Sequence, residues 1–361
     1  MKNLLLVLFA LLTLQTAKAQ GLENIIVETY YIAEPNDATV NSSGGVLPIP
    51  SVTYRVYVDM LPGWRLQSVY GDANHECRIE TTTLFFNNED RGATTANGIN
   101  FNYMDDNTVM LDSWVSVGAG ASSRLGIQKD QDDGQSTVVN NDGVLQGTNP
   151  LAGIPLTQED GFITGTPEPV TVVGINTELE VFNNQNDGTN GPVFSTNNGA
   201  WASLNGSVGP DAALNQVLVA QITTDGIMSF SLNVQIRQDS TFVVENYVAS
   251  NPQGSEILFP ALNYNSASAI GEAVTAESLI FNLYPNPATD MLTIEILDAQ
   301  TSRNIEYSIY GLAGNLITKG SLGNVSGRKI EKVDVSNLPS GFYVVQMNYD
   351  GVASARQFVK H

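Results

Sequence analysis

The stretch Ile222-Thr223-Thr224-Asp225-Gly226-Ile227-Met228 places β-branched residues before an Asp-Gly pair and apolar residues after it. Because Asp-Gly accepts positive φ at both central turn positions, the stretch predicts a strand, a tight turn and a second strand. Short runs of alternating apolar and polar residues recur around it, for example at 51–58 and 228–236, and Asn-Gly or Asp-Gly pairs separate many of them. This pattern predicts an all-β sandwich or barrel.

The charge of the chain is distributed unevenly. The 361 residues include 37 acidic and 16 basic side chains, which gives a net charge of −21, whereas residues 277–361 hold eight acidic and seven basic side chains. A polyanion has little affinity for nucleic acid or for an anionic membrane surface. Because the negative charge is concentrated before residue 277, we predict two domains. They are a large acidic β-sandwich at 20–265 and a second β domain at 281–361, joined by a small and polar linker at 266–280.

The first residues have the pattern of an export signal. Lys2 precedes an apolar run at 4–14, and Ala17-Lys18-Ala19 follows it with small residues at the two positions that signal peptidase reads. We expect Sec export and cleavage after Ala19, which makes 1–19 the signal peptide. The run is shorter than the about 20 apolar residues that span a bilayer, so no transmembrane segment is expected in the mature chain.

The last 80 or so residues carry a series of motifs. Tyr284-Pro285-Asn286-Pro287 opens the segment, a Gly311 to Gly314 turn follows, and Leu338-Pro339-Ser340-Gly341-Phe342-Tyr343 leads to Phe358-Val359-Lys360. Alternating runs between them predict about seven short strands, which suits a small immunoglobulin-like sandwich. The motif residues to which we assign a role in sorting are Pro285, Asn286, Pro287, Leu338, Pro339, Gly341, Phe342, Tyr343 and Lys360.

These motifs, in this order, resemble the C-terminal sorting domain of the type IX secretion system over residues 281–361. The resemblance implies folding in the periplasm and recognition by the outer-membrane translocon and its sorting machinery. It also implies a final location on the cell surface or outside the cell. The last strand would be available to a receptor by strand addition. An ordinary immunoglobulin-like adhesive module is the alternative.

A weaker resemblance covers the acidic region. Thr53-Tyr54-Arg55-Val56-Tyr57, Leu111-Asp112-Ser113-Trp114-Val115 and 217–226 are similar to a family of secreted bacterial β domains that has no established activity. This resemblance implies a β fold, an exported protein and a single unit from about residue 22 to 265.

Candidate catalytic groups are few. His75 is the only histidine besides His361, so a Ser-His or Cys-His site would have to use it. His75 and Cys77 lie two residues apart, but a zinc site wants three or four ligands, and no second Cys/His cluster is present. We expect Cys77 to be a buried and inert thiol.

Carboxylates are abundant and leave two hypotheses open. Asp130, Asp132 and Asp133 precede Gly134 and resemble a loop that wraps a structural calcium ion, and 183–188 is a second such stretch. A solvated hairpin tip is the alternative. Paired carboxylates are also the machinery of glycoside hydrolysis, and the densest acidic clusters are 105–106 and 130–133.

Aromatic residues suggest a ligand class. Trp64, Trp114 and Trp201 could stack on sugar faces, although core packing is the favoured interpretation for at least two of them. We expect a secreted or surface protein whose acidic domain is a non-enzymatic binding or adhesion module for glycans or matrix. The alternative is a secreted, carboxylate-dependent hydrolase acting on glycans.

Overall fold

A computed structural model describes residues 20–35, 37, 44–132, 134, 138, 144–147, 159–183, 191–266, 280–311, 316–349 and 352–361. The predicted signal peptide, most of the predicted linker and Asp133 lie outside the described residues. The chain divides into two compact units. We call residues up to 226 together with 230–263 the front unit, and 227–229 together with 264–361 the rear unit.

The described chain is all-β, as the sequence predicts, and its sheets are consistent with a β-sandwich. The strands are β1 Leu22–Ile32, β2 Val52–Met60, β3 Trp64–Gly71, β4 Cys77–Thr81, β5 Trp114–Val115, β6 Ala119–Ala121, β7 Arg124–Gly126, β8 Phe162–Thr164, β9 Thr171–Val173, β10 Val193–Thr196, β11 Gly199–Ser207, β12 Gln216–Thr224, β13 Met228–Ser231, β14 Asn233–Gln238, β15 Val244–Val248, β16 Ile257–Leu258, β17 Asn263–Asn265, β18 Ile280–Tyr284, β19 Met291–Gly311, β20 Leu316–Asp334, β21 Gly341–Tyr349 and β22 Val352–Lys360.

Helical structure in the described residues is confined to short 3-10 turns, which are Ala96–Gly98, Phe101–Tyr103, Val109–Leu111, Lys129–Gln131, Glu178–Phe182 and Pro260–Leu262. None of these turns has the length and apolar character that crossing a bilayer requires.

The front unit is built on antiparallel sheets. One sheet has the order β1-β2-β12-β5, a six-stranded sheet has the order β16-β15-β14-β3-β11-β9, and β6-β7-β8 form a third. The pair β15 and β16 is parallel. Strand β2 is buried along nearly its whole length, and it pairs with β1 on one side and β12 on the other.

The opening motif behaves differently from a simple hairpin. Residues 216–224 and 228–231 are strands and the Asp225-Gly226 pair separates them, as predicted. The two strands do not pair with each other, however. β12 pairs with β2 and β5, and β13 belongs to a different sheet. The apolar series of 228–236 is also divided at Leu232, which lies between β13 and β14. A turn motif fixes a change of direction, and long-range burial chooses the partner strand.

The core of the front unit contains a buried cation. Arg55 is fully buried, and its guanidinium carbon lies 3.5 Å from the centroid of the Tyr30 ring. Arg55 Nε donates to Gln221 Oε1 over 2.8 Å, and Nη1 donates to the Gly161 carbonyl over 3.1 Å. Burial raises the pKa of Glu28, and the positive charge of Arg55 acts in the opposite direction. This network explains how a charge is tolerated inside an apolar core.

The described residues from 280 to 361 of the rear unit form five strands, where the sequence predicts about seven. Its sheet runs β18-β19-β21-β22, and β20 pairs with β19. The alternating runs at 291–297 and 305–310, two of the short strands that the sequence predicts, form one strand, β19, with register shifts at 298/303, 305/306 and 309/310. A bulge interrupts the alternation of side chains without ending the strand, so the sequence gives the appearance of a break. The immunoglobulin-like topology stays a prediction.

The rear unit has its own apolar core. Members from β19, β21 and β22 are fully buried, including Ile294, Ile309, Val345 and Phe358. The core also includes Ala288, which comes from the loop between β18 and β19. A closed core of this kind is what allows a region of about 80 residues to fold around its own contacts.

Candidate functional site

The first and last motifs of the rear unit meet. The segment 286–288 lies beside the last residues of β22: Ala288 N donates to the Val359 carbonyl over 2.8 Å, and His361 N donates to the Ala288 carbonyl over 2.9 Å. Asn286 Oδ1 accepts from Val359 N over 2.8 Å. The side chain of Asn286 therefore continues, by one further hydrogen bond, the parallel bridge between Ala288 and Lys360. The peptide bonds before Pro285 and Pro287 are both cis.

The third motif joins the same place from the other side of β22. Gly341 pairs with Lys360 and Tyr343 pairs with Phe358 in the β21–β22 ladder. The rings of Tyr343 and Phe358 stack with centroids 5.5 Å apart and an interplanar angle of 24°. The Tyr343 hydroxyl donates to the Pro339 carbonyl over 2.8 Å. Two motifs that are far apart in sequence thus converge on the last one, at residues 358–361.

We name this convergence the sorting-motif cluster, and it has a buried and an exposed part. Its buried members, which hold β22 in place, are Ala288, Tyr343, Phe358 and Lys360. Its exposed members are Tyr284, Pro285, Asn286, Pro287, Pro339, Ser340 and His361. Leu338 is half-buried against the core, and the side chain of Phe342 lies outside the described set. Buried members explain folding, and exposed members are available to a partner.

Strand β22 also has backbone N–H and C=O groups on the side away from its partner strand β21. It stands at the end of the sheet order, beside β21. Val359 pairs with Phe342, yet its N–H and C=O bond with the 286–288 segment on the side away from β21. Along a strand of an antiparallel ladder, the N–H and C=O groups of successive residues point alternately to one side and the other. Those of Gln357, Ala355 and Ala353 therefore point to the same outer side as those of Val359.

The front unit holds a polar pocket of about 360 Å³. Its lining residues are Glu76, Gly174, Glu178, Ser195, Thr196, Asn197 and Asn198. Ser195 Oγ donates to Glu76 Oε1. Strand β10 supplies Ser195 and Thr196, and its pairing with β4 places Glu76 close by. Two carboxylates and several amide or hydroxyl groups suit a hydroxylated ligand, because each can exchange hydrogen bonds with hydroxyl groups.

The tryptophans do not form a sugar-binding face. Trp64, Trp114 and Trp201 are 5%, 1% and 0% exposed, so all three pack in the interior of the front unit. Trp201 meets Phe194 edge to face at 5.6 Å. The core interpretation is therefore correct, and stacking on a ligand at the surface by these residues is wrong.

The predicted calcium residues are only partly described. Asp130 is exposed, Asp132 is half-buried, and Asp133 lies outside the described residues. Asp132 Oδ1 accepts from Gly134 N over 3.2 Å, and Oδ2 accepts from Gly161 N over 2.9 Å. These backbone donors give the loop an internal role, and calcium binding stays a prediction.

Cys77 is fully buried, as expected for an inert thiol. Burial raises the pKa of Cys77 to about 12, so the thiolate form that binds metals is suppressed. His75 finds other neighbours, namely Asp72 and Glu256. Sequence reasoning missed Glu256 because it lies 181 positions after His75 and only the fold brings it near.

Comparison with known proteins gives few matches. No curated protein matches the chain. Among solved structures, the chain is similar to dimeric latent PorU from Porphyromonas gingivalis, with 11% identity, 94% of this chain and 20% of that chain covered, and a TM-score of 0.24. A biofilm-associated protein BSP domain gives 9% identity, coverage of 96% and 52%, and a TM-score of 0.20. The chain thus spans about a fifth and about half of these two proteins.

The family comparison concerns the rear unit. The model of the secretion system C-terminal sorting domain matches residues 282–361, which include all three motifs of the sorting-motif cluster. Residues 282–361 are therefore a type IX secretion C-terminal sorting domain, and this domain indicates export to the cell surface or the extracellular space.

Proposed function

We propose that the sorting-motif cluster and the outer edge of β22 together form the surface that the type IX translocon binds. The observation that carries this proposal is the convergence of two distant motifs on the last motif, at residues 358–361. A translocon strand would add beside Ala353, Ala355 and Gln357, whose backbone groups point outward, and main-chain hydrogen bonds would supply affinity. The exposed prolines and Asn286 would then give the surface its specificity.

The composition of residues 353–355, which precede Arg356 in β22, supports strand addition. Soluble proteins usually protect edge strands with proline or charged side chains. Residues 353–355 are Ala-Ser-Ala, which include neither. An edge kept open in this way would serve a protein whose last strand has to be bound by another chain.

The variant Asn286→Ala tests the proposal. It removes the acceptor of the Val359 N–H, which costs about 1 kcal/mol and leaves the buried core intact. We expect the variant to fold but to accumulate in the periplasm, measured by cell fractionation of the full chain. Lys319→Ala is the control, because Lys319 is exposed and lies outside the cluster.

Normal surface delivery of Asn286→Ala together with an unchanged melting temperature would contradict the proposed recognition surface. Deletion of 281–361 should also retain the protein in the periplasm. Delivery of that truncated chain would contradict the role of the whole domain.

We further propose that the front unit is a non-enzymatic binding module for a hydroxylated ligand such as a glycan. The polar pocket supports this proposal, since its lining offers hydroxyl, amide and carboxylate groups. A hydrolase is the second candidate, because Glu76 and Glu178 line the same pocket and glycoside hydrolysis uses two carboxylates.

A glycan array and a glycoside hydrolase panel, both run on the mature chain, separate these candidates. We expect binding without turnover, and we expect Asn198→Ala to weaken that binding by about tenfold, the effect of about 1.4 kcal/mol. Asn102→Ala, at an exposed position away from the pocket, is the control. Hydrolysis that disappears in Glu178→Gln would contradict the binding module and support the hydrolase.

A further inference from the structure

A histidine joins two turns of the front unit. The turn 72–75 leads into β4, and the loop 251–256 lies between β15 and β16. His75 is 2% exposed at its side chain, and both of its ring nitrogens meet oxygen acceptors. Nδ1 lies 3.2 Å from Asp72 Oδ1, whereas Nε2 lies 3.1 Å from the Asn251 carbonyl and 3.3 Å from Glu256 Oε2.

The two nitrogens have different roles in this geometry. Asp72 Oδ1 also accepts from His75 N over 2.9 Å, so the carboxylate is fixed beside the ring. When Nδ1–H donates to this carboxylate, which is the usual support of a metal-bound histidine, Nε2 is left with a lone pair that can bind a cation. The lone pair then faces two further electron-rich oxygens, and a cation among the three atoms would relieve their repulsion.

The oxygens are themselves held in place by the loop. Gln253 N donates to Glu256 Oε2 over 2.6 Å, and Gln253 Nε2 donates to the Asn251 carbonyl over 2.8 Å. Asn251 has a positive φ of 50°, and its carbonyl faces the ring. The Glu256 side chain is 15% exposed, so the site lies near the surface and an ion can reach it.

We propose that His75 Nε2, Glu256 Oε2 and the Asn251 carbonyl form a binding site for a divalent transition metal of the Zn²⁺ class. Atoms about 2.1 Å from an ion at tetrahedral or octahedral angles are about 3.0–3.4 Å apart, and the separations from Nε2 fall in that range. Imidazole with carboxylate suits Zn²⁺ better than Ca²⁺ or Mg²⁺. Asp72 is a positioning residue, and water would complete the coordination.

Zn²⁺ titration of the mature chain tests the proposal. The chain holds only two histidines, so a His361→Gln background leaves His75 as the single source of imidazole signals in nitrogen-edited NMR. We expect one equivalent of Zn²⁺ to shift the His75 Nε2 resonance. We also expect Glu256→Gln to weaken the calorimetric affinity at least tenfold, and Asp72→Asn to weaken it by roughly 10–100-fold while changing the tautomer signature of the ring.

Glu23→Gln is the matched control, because Glu23 is an exposed glutamate of the same unit and the change removes one charge from the polyanion. Its affinity should equal that of the parent chain. Zn²⁺ that leaves the His75 signals unchanged would overturn the proposal. Equal affinities of Glu256→Gln and Glu23→Gln would also overturn it, since the ion would then be held by general surface charge.

Discussion

Replacing Phe358 by alanine should strongly destabilise the rear unit and leave the stability of the front unit unchanged. Phe358 is fully buried in the rear core and stacks on Tyr343. Phe-to-Ala changes in a core cost about 3–5 kcal/mol. A unit of about 80 residues has roughly 4–12 kcal/mol of stability, so the loss is a large part of the total.

Hydrogen exchange and tryptophan fluorescence separate the two units in one sample. Trp64, Trp114 and Trp201 all lie in the front unit, so their emission follows that unit alone during urea unfolding. A loss of about 4 kcal/mol should speed the globally limited exchange of peptides from 341–360 by about a thousandfold. The urea midpoint measured by tryptophan emission should not change.

Tyr343→Phe is the control, because it keeps the stacked ring and removes the hydroxyl that donates to the Pro339 carbonyl. Its cost should be about 1 kcal/mol, or roughly fivefold in exchange. If Phe358→Ala exchanged no faster than Tyr343→Phe, the assignment of Phe358 to the core that holds β22 would be refuted.

Three further predictions concern the front unit. Arg55→Met should destabilise it by about 3 kcal/mol in urea unfolding, because the hydrogen bonds to Gln221 and Gly161 are lost and Glu28 keeps only Lys129 as a nearby positive charge, and the double variant with Glu28→Gln should cost less than the sum of the single changes. Above about pH 9, the folded state keeps the Cys77 proton that the unfolded state releases, so stability should fall as pH rises toward 12, with Cys77→Ala reducing the slope by up to about 1.4 kcal/mol per pH unit. Chelation by EGTA should lower the melting temperature if calcium binds Asp130, Asp132 and Asp133, and an unchanged melt would dispose of that site.

Local patterns in the sequence predict the strands well and their partners poorly. The alternating run at 51–58 lies within two residues of β2 at both ends, because this strand buries apolar side chains in the core. The pairing of β12 with β2 joins segments more than 150 residues apart, and nothing in either segment specifies the other. Bulges in β19 had the same effect at short range, since a register shift resembles a strand end.

The sorting motifs could be found from sequence because each is a local pattern of proline, glycine and aromatic residues. Their convergence could not, since it depends on hydrogen bonds between 286–288 and 359–361. Ala288 and His361 belong to the cluster through backbone groups, which carry no side-chain signal. The same limit hid the pair of His75 and Glu256.

The continuity of β19 limits how far the sorting domain can be shortened without loss of function. The first part of β19 carries β18 and the second part carries β21, while β20 follows both parts. β19 therefore pairs directly with β18, β20 and β21, and β22 joins the sheet through β21, so a cut within β19 removes partners from three strands. Progressive trimming from residue 280 onward should abolish delivery in a single step, without a series of partly competent fragments.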